Sequence, residues 1–116
     1  MKNTIFILSC FCFLTIGCSQ SISPDNPDWV EKMIVQFKNE PVGNPPQTIW
    51  CYDYKNQKVY YVPPQCCDQF STLYDANGKI LGAPDGGISG SGDGRLTDFF
   101  TERKNEKLIW KDSRQR

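Results

Sequence analysis

Residues 48–62 restrict the fold of this chain more than any other stretch. Thr48 to Tyr54 and Val59 to Val62 are both rich in aromatic and β-branched residues, and the polar run Lys55 to Lys58 lies between them. That is the signature of two strands folded back about a turn. With Asn56-Gln57 as the two central turn residues, Tyr54 pairs with Val59 and Tyr52 with Tyr61. Side chains alternate along a strand, so Trp50, Tyr52, Tyr54, Val59 and Tyr61 share one face. Ile49, Cys51, Asp53, Lys58, Tyr60 and Val62 share the other. The second face is mixed in polarity, so the aromatic face is expected to meet the rest of the core.

The flanking segments supply that core. Asn26 can cap a helix, Pro27 suits its first position, and Asp28 and Glu31 suit its positive end. Val30, Met33, Ile34 and Phe37 follow at helical spacing, which predicts about three turns of amphipathic helix ending before Pro41. Downstream, Phe70 to Tyr74 and Lys79 to Gly82 flank Asp75-Ala76-Asn77-Gly78, whose Asn-Gly pair signals a second hairpin. Residues 84–94 hold five glycines and read as a loop. Arg95 to Phe100 and Lys107 to Trp110 read as a third hairpin, with a helix from Thr97 as the alternative. The expected fold is α+β: one N-terminal amphipathic helix packed on a small antiparallel sheet of hairpins.

The start of the chain has a different character. Lys2 precedes the apolar run Ile5 to Ile16, which is followed by Gly17-Cys18. A charged start, a short apolar stretch and a small residue at the cut form a secretory leader. The stretch is shorter than the roughly 20 apolar residues of a membrane span. Leu14-Thr15-Ile16-Gly17-Cys18 resembles the lipobox of bacterial lipoproteins, which implies cleavage before Cys18 and lipid on its thiol. The expected organisation is a signal peptide at 1–17, a lipidated tether at 18–26, one domain at 27–112 and a disordered tail at 113–116.

With 13 basic and 13 acidic residues and no histidine, the chain has no charge excess to attract nucleic acid. It also lacks the usual general base and the commonest metal ligand. After the leader and Cys18, three cysteines remain: Cys51, Cys66 and Cys67. The expected pairing places Cys51 opposite Val62, close enough to the double cysteine for a disulfide across a Cα separation of about 5.5 Å. A bridge between Cys66 and Cys67, or a metal site built from Cys51, Cys66, Cys67 and Asp68, are the alternatives.

Val59-Tyr60-Tyr61-Val62, Cys66-Cys67-Asp68, Leu73-Tyr74-Asp75, Gly78, Pro84-Asp85-Gly86-Gly87 and Gly90-Ser91-Gly92-Asp93-Gly94 together carry a family pattern. It resembles that of small lipoproteins of Bacteroidota-type bacteria assigned to a domain of unknown function. The resemblance rests on about a third of the chain. It implies export and lipidation and supplies no activity.

Four groups of residues are candidates for function. Asp85 and Asp93 flank the glycines and offer carboxylates for a calcium ion, although tight turns account for the same residues. Tyr60 and Trp110 are candidates for an exposed aromatic binding surface. Pro63 and Pro64, ahead of Gln65-Cys66-Cys67, suggest a rigid wedge. The turn aspartates Asp53, Asp68, Asp75, Asp85 and Asp93 are candidates for acid–base work by residue type alone. The expectation is a non-catalytic lipoprotein on a bacterial membrane, the outer one by preference, with no cofactor, that binds a protein or a glycan. An inhibitor using the Pro63–Cys67 loop is the alternative, and a small hydrolase the third reading.

Overall fold

The computed structural model describes residues 25–66 and 68–115. The leader and Cys18 therefore lie outside the described residues. Helix α1 spans Asp28–Lys38. Strands β1 (Thr48–Tyr54) and β2 (Gln57–Val62) form the central hairpin. Strands β3 (Thr72–Tyr74) and β4 (Ile80–Gly82) form a second. Helix α2, only Phe99–Glu102, leads into β5 (Lys104–Lys111). The sheet is antiparallel, in the order β4-β3-β2-β1-β5.

Three features differ from the sequence expectation. The first hairpin turns on Lys55-Asn56, both left-handed at φ 48° and 61°. Tyr54 therefore pairs with Gln57 and Tyr52 with Val59, and Cys51 lies opposite Tyr60. The register is shifted by two residues, an even number, so the composition of each face survives. A left-handed turn residue other than glycine or asparagine costs about 1–2 kcal/mol. Lys55 is held there by its ammonium, 3.2 Å from the Asp98 carboxylate and 5.1 Å from the centre of the Tyr54 ring.

The second difference concerns α1, which covers the mixed face and not the aromatic one. Val30 and Ile34 pack with Ile49, Cys51 and Tyr60, joined by Trp29, Met33, Phe37, Val62, Tyr74, Ile109 and Trp110. The physical reason is polar satisfaction. The apolar stripe of α1 has no acceptors for the hydroxyls of Tyr52, Tyr54 and Tyr61, and a buried hydroxyl needs one. The polar members of the mixed face, Asp53 and Lys58, pair with each other beside the turn, leaving an apolar patch for the helix. Trp29 closes one end, with its indole N–H donating to the Ala76 carbonyl at 2.9 Å and its ring edge-on to Tyr60 at 5.1 Å. Phe37 stacks on Trp110 at the other end.

The third difference lies at the C-terminus. Residues 95–111 do not form a hairpin of their own. The chain turns through α2, and β5 pairs with the free side of β1. Arg114, placed by the sequence in a disordered tail, is instead tied to α1. Its guanidinium donates to the carbonyls of Phe37, Lys38 and Glu40 and to the Asp112 carboxylate. This satisfies the Lys38 carbonyl, one that the end of a helix leaves without a partner, and adds a second donor to the Phe37 carbonyl, which the Glu40 amide already meets.

Candidate functional site

The aromatic face of the sheet organises the other side of the molecule. Phe99 from α2 is fully buried there, edge-on to Tyr52 at 5.5 Å and to Tyr54 at 5.4 Å, and tilted against Tyr61 at 5.6 Å. Around it, three tyrosine hydroxyls each donate to a carboxylate from a different segment. Tyr52 donates to Glu106 at 2.6 Å, Tyr54 to Asp98 at 2.5 Å and Tyr61 to Asp85 at 2.8 Å. Arg103 donates to the Tyr52 hydroxyl at 2.9 Å, and its guanidinium lies over the rings of Tyr52 and Phe100 at 4.7 and 4.8 Å. The three tyrosines thus reach β5, the start of α2 and the glycine loop through one hydroxyl each.

These contacts shape the titration of the face. Burial, and then the Glu106 hydrogen bond, push Tyr52 up to about 12. Burial and the neighbouring Cys51 push Tyr60 up to about 12. Tyr61 is raised by burial and by Asp85. On the acid side, the Tyr54 hydroxyl, and then Lys55, hold Asp98 below the usual carboxylate range. A folded tyrosine that keeps its proton longer than the unfolded one, near 10, stabilises the fold fully below that pH. Its contribution disappears as pH rises through the folded value. The tyrosine contribution to stability is therefore expected to be constant up to about pH 10 and to be lost as pH rises between about 10 and 12, together with the appearance of tyrosinate absorbance. Denaturant midpoints across this range check it. A midpoint unchanged up to pH 12 would contradict the burial of these hydroxyls.

The glycine loop is rigidly built. The Asp85 carbonyl accepts from the Ser71 amide at 3.1 Å and from its hydroxyl at 3.0 Å, and that hydroxyl accepts from the Asp85 amide at 3.1 Å. The Asp93 carboxylate accepts from the Ala83 amide at 3.0 Å and from the Arg95 amide and guanidinium. The Arg95 amide is the main reason its pKa is lowered. Further bonds run from Gly87 to Gln69, from Gly92 to Gly86 and from Asp93 to Ala83. Asp85 and Asp93, the calcium candidates, thus use their oxygens to hold the loop. Among the described residues no group of three or more Cys, Asp or Glu could hold a metal ion.

The loop shows an apolar tip. Ile88 is 94% exposed and Phe70, on the adjoining segment, is 56% exposed. Together with Asp68, Gly87, Ser89 and Gly92 they line a cleft of about 450 Å³. Sequence reasoning missed this surface. The available signal was an isoleucine set among glycines and serines, with no partner of matching period on either side.

The other expected residues are scattered. Tyr60, expected at the surface, is buried at 3%, because its face is the one α1 covers. Trp110 is half-buried against Phe37. Pro63 and Pro64 are half-buried. Cys51 is a buried free thiol, so its expected bond to the double cysteine is not formed. Burial raises its pKa. The Cys66 carbonyl accepts from the Gln69 amide at 2.8 Å. Cys67 lies outside the described residues, as does Cys18.

The architecture is that of a small α+β domain, with a helix on one face of a five-stranded antiparallel sheet and a pinned glycine loop beside the other. The chain belongs to a family described as a domain of unknown function (DUF6970), whose profile matches residues 35–112. Neither a curated protein nor a solved structure gives a significant match. No described helix is long and apolar enough to cross a membrane.

Proposed function

We propose that this protein is an exported lipoprotein, held on a bacterial membrane through Cys18, that acts as a non-catalytic binding module for a protein or a glycan. The observation that carries the binding role is the glycine loop. Its backbone is fixed by hydrogen bonds to the sheet and to itself, yet it holds Ile88 almost wholly in water. A rigid loop loses little entropy on binding, so an apolar side chain displayed on one favours recognition. The anchoring role rests on the leader and on Gly17-Cys18. Two or more acyl chains give stable membrane attachment where one gives only marginal binding. The outer membrane is the proposed destination.

Mass analysis of the mature N-terminus tests the anchor. The expected result is a chain beginning at an acylated Cys18, and Cys18→Ala is expected to release the protein from membrane fractions. A Cys18→Ala protein that is still cut before residue 18 and still membrane-bound would overturn the anchoring.

A further inference from the structure

We propose that the cleft between Phe70 and Ile88 receives a partner-protein segment in which an apolar side chain stands next to a lysine or arginine. This deepens the binding-module reading and rests on it. Three observations select that occupant.

The first is size. A cleft of about 450 Å³ lies within the roughly 300–1,000 Å³ range of ligand sites, so it suits one or two side chains. The second is its apolar lining. Ile88 and Phe70 are the large apolar side chains among the described lining residues, and the Phe70 ring lies against Gly87, where a Cβ would sit 2.6 Å from its Cε1. An apolar side chain entering the cleft removes both of these surfaces from water. The third is charge. Among the described residues, Asp68 is the sole ionisable group lining the cleft, and no cation lines it. It stands two residues from the half-exposed Phe70 ring, whose face also attracts cations. A carboxylate beside an aromatic ring recognises an ammonium or guanidinium and disfavours an acidic segment. It disfavours an anionic lipid surface for the same reason.

The test uses the exported, isotope-labelled protein in phosphatidylcholine nanodiscs. Two blocked hexapeptides are titrated, Gly-Ser-Leu-Lys-Ser-Gly and its glutamate-for-lysine counterpart, and backbone amide shifts are followed. The lysine peptide is expected to move residues 68–70 and 86–92 saturably, and the glutamate peptide to bind more weakly. Asp68→Asn is expected to weaken the lysine peptide about three- to fivefold and to erase the discrimination. Ile88→Ser, at an exposed position where folding is not at risk, is expected to weaken both peptides about tenfold. Equal binding of the two peptides, or no saturable shift, overturns the proposal. So do shifts of these residues caused by phosphatidylglycerol in the discs without peptide, or by protein concentration alone, which would indicate a membrane or a second copy. A failed titration overturns the occupant, whereas a mature N-terminus without lipid overturns only the anchor.

Discussion

Replacing Phe99 with alanine is expected to destabilise the fold by about 3–5 kcal/mol, the usual cost of removing a fully buried phenylalanine. Phe99 has no exposed surface and contacts Tyr52, Tyr54, Tyr61 and Phe100. Those tyrosines are fixed by hydroxyl bonds to Glu106, Asp98 and Asp85 and cannot close over the cavity without losing them. The site therefore cannot relax, which places the expected cost toward the upper end. Phe100, 40% exposed, is the control. Its alanine variant should lose about 1 kcal/mol, since much of its ring is already in water and its remaining contact is partly aromatic edge contact. Urea midpoints of the two variants check this, and equal losses would show that Phe99 is not the centre of the aromatic core.

The second large effect is expected at Gly92. A Cβ there would lie 2.0 Å from the Ala83 carbonyl oxygen and 2.8 Å from the Asp85 amide nitrogen, both backbone atoms. Its φ of +69° adds left-handed strain. Gly92→Ala is expected to cost at least about 3 kcal/mol, the upper range for a strained backbone position with no way to relax. Asp85 and Asp93 are anchored on either side of it, so the loop should lose its hold on the sheet. Gly90 separates the two causes. It has a similar φ of +77°, but a Cβ there would meet nothing within 4 Å. Gly90→Ala should therefore show the left-handed cost alone, about 1–2 kcal/mol. Thermal and urea unfolding compare the pair. Similar losses at both positions would remove the close approach of the backbone from the account.

Both effects arise from contacts that sequence reading does not reach. Alternation in residues 48–62 identifies both strands of the central hairpin and sorts their side chains by face, because a period of two is local. It does not identify the turn residues. Lys55 takes a left-handed conformation that lysine rarely adopts, and it is held there by Asp98, 43 positions further along the chain. The Asn-Gly hairpin is legible for the opposite reason: its turn chemistry lies within four residues. Residues 95–100 mislead because Phe99 and Phe100 have strand-like composition. Tertiary packing decides otherwise, since Phe99 fills the space among three tyrosines.

The candidate site is less legible than the fold. Asp85 and Asp93 stand out in the sequence, and a cation is a natural reading of two carboxylates among glycines. Their actual partners, Tyr61, Ala83 and Arg95, become neighbours of those carboxylates only when the loop folds back on the sheet. Tyr60 and Tyr61 are adjacent and chemically identical. One is covered by α1 and the other bonds Asp85 on the opposite face.

The sequence by itself determined the local features of this protein: the α+β class, the amphipathic stripe of α1, the two hairpins and the glycine loop. Each follows from the spacing of residues within one or two turns of chain. Only the tertiary structure decided which face α1 covers, where β5 joins the sheet, that Cys51 stays a free thiol and that Ile88 stands exposed beside Phe70. Those outcomes depend on contacts between groups far apart in the chain, such as the buried hydroxyls and the carboxylates that accept from them, and no local pattern carries that information.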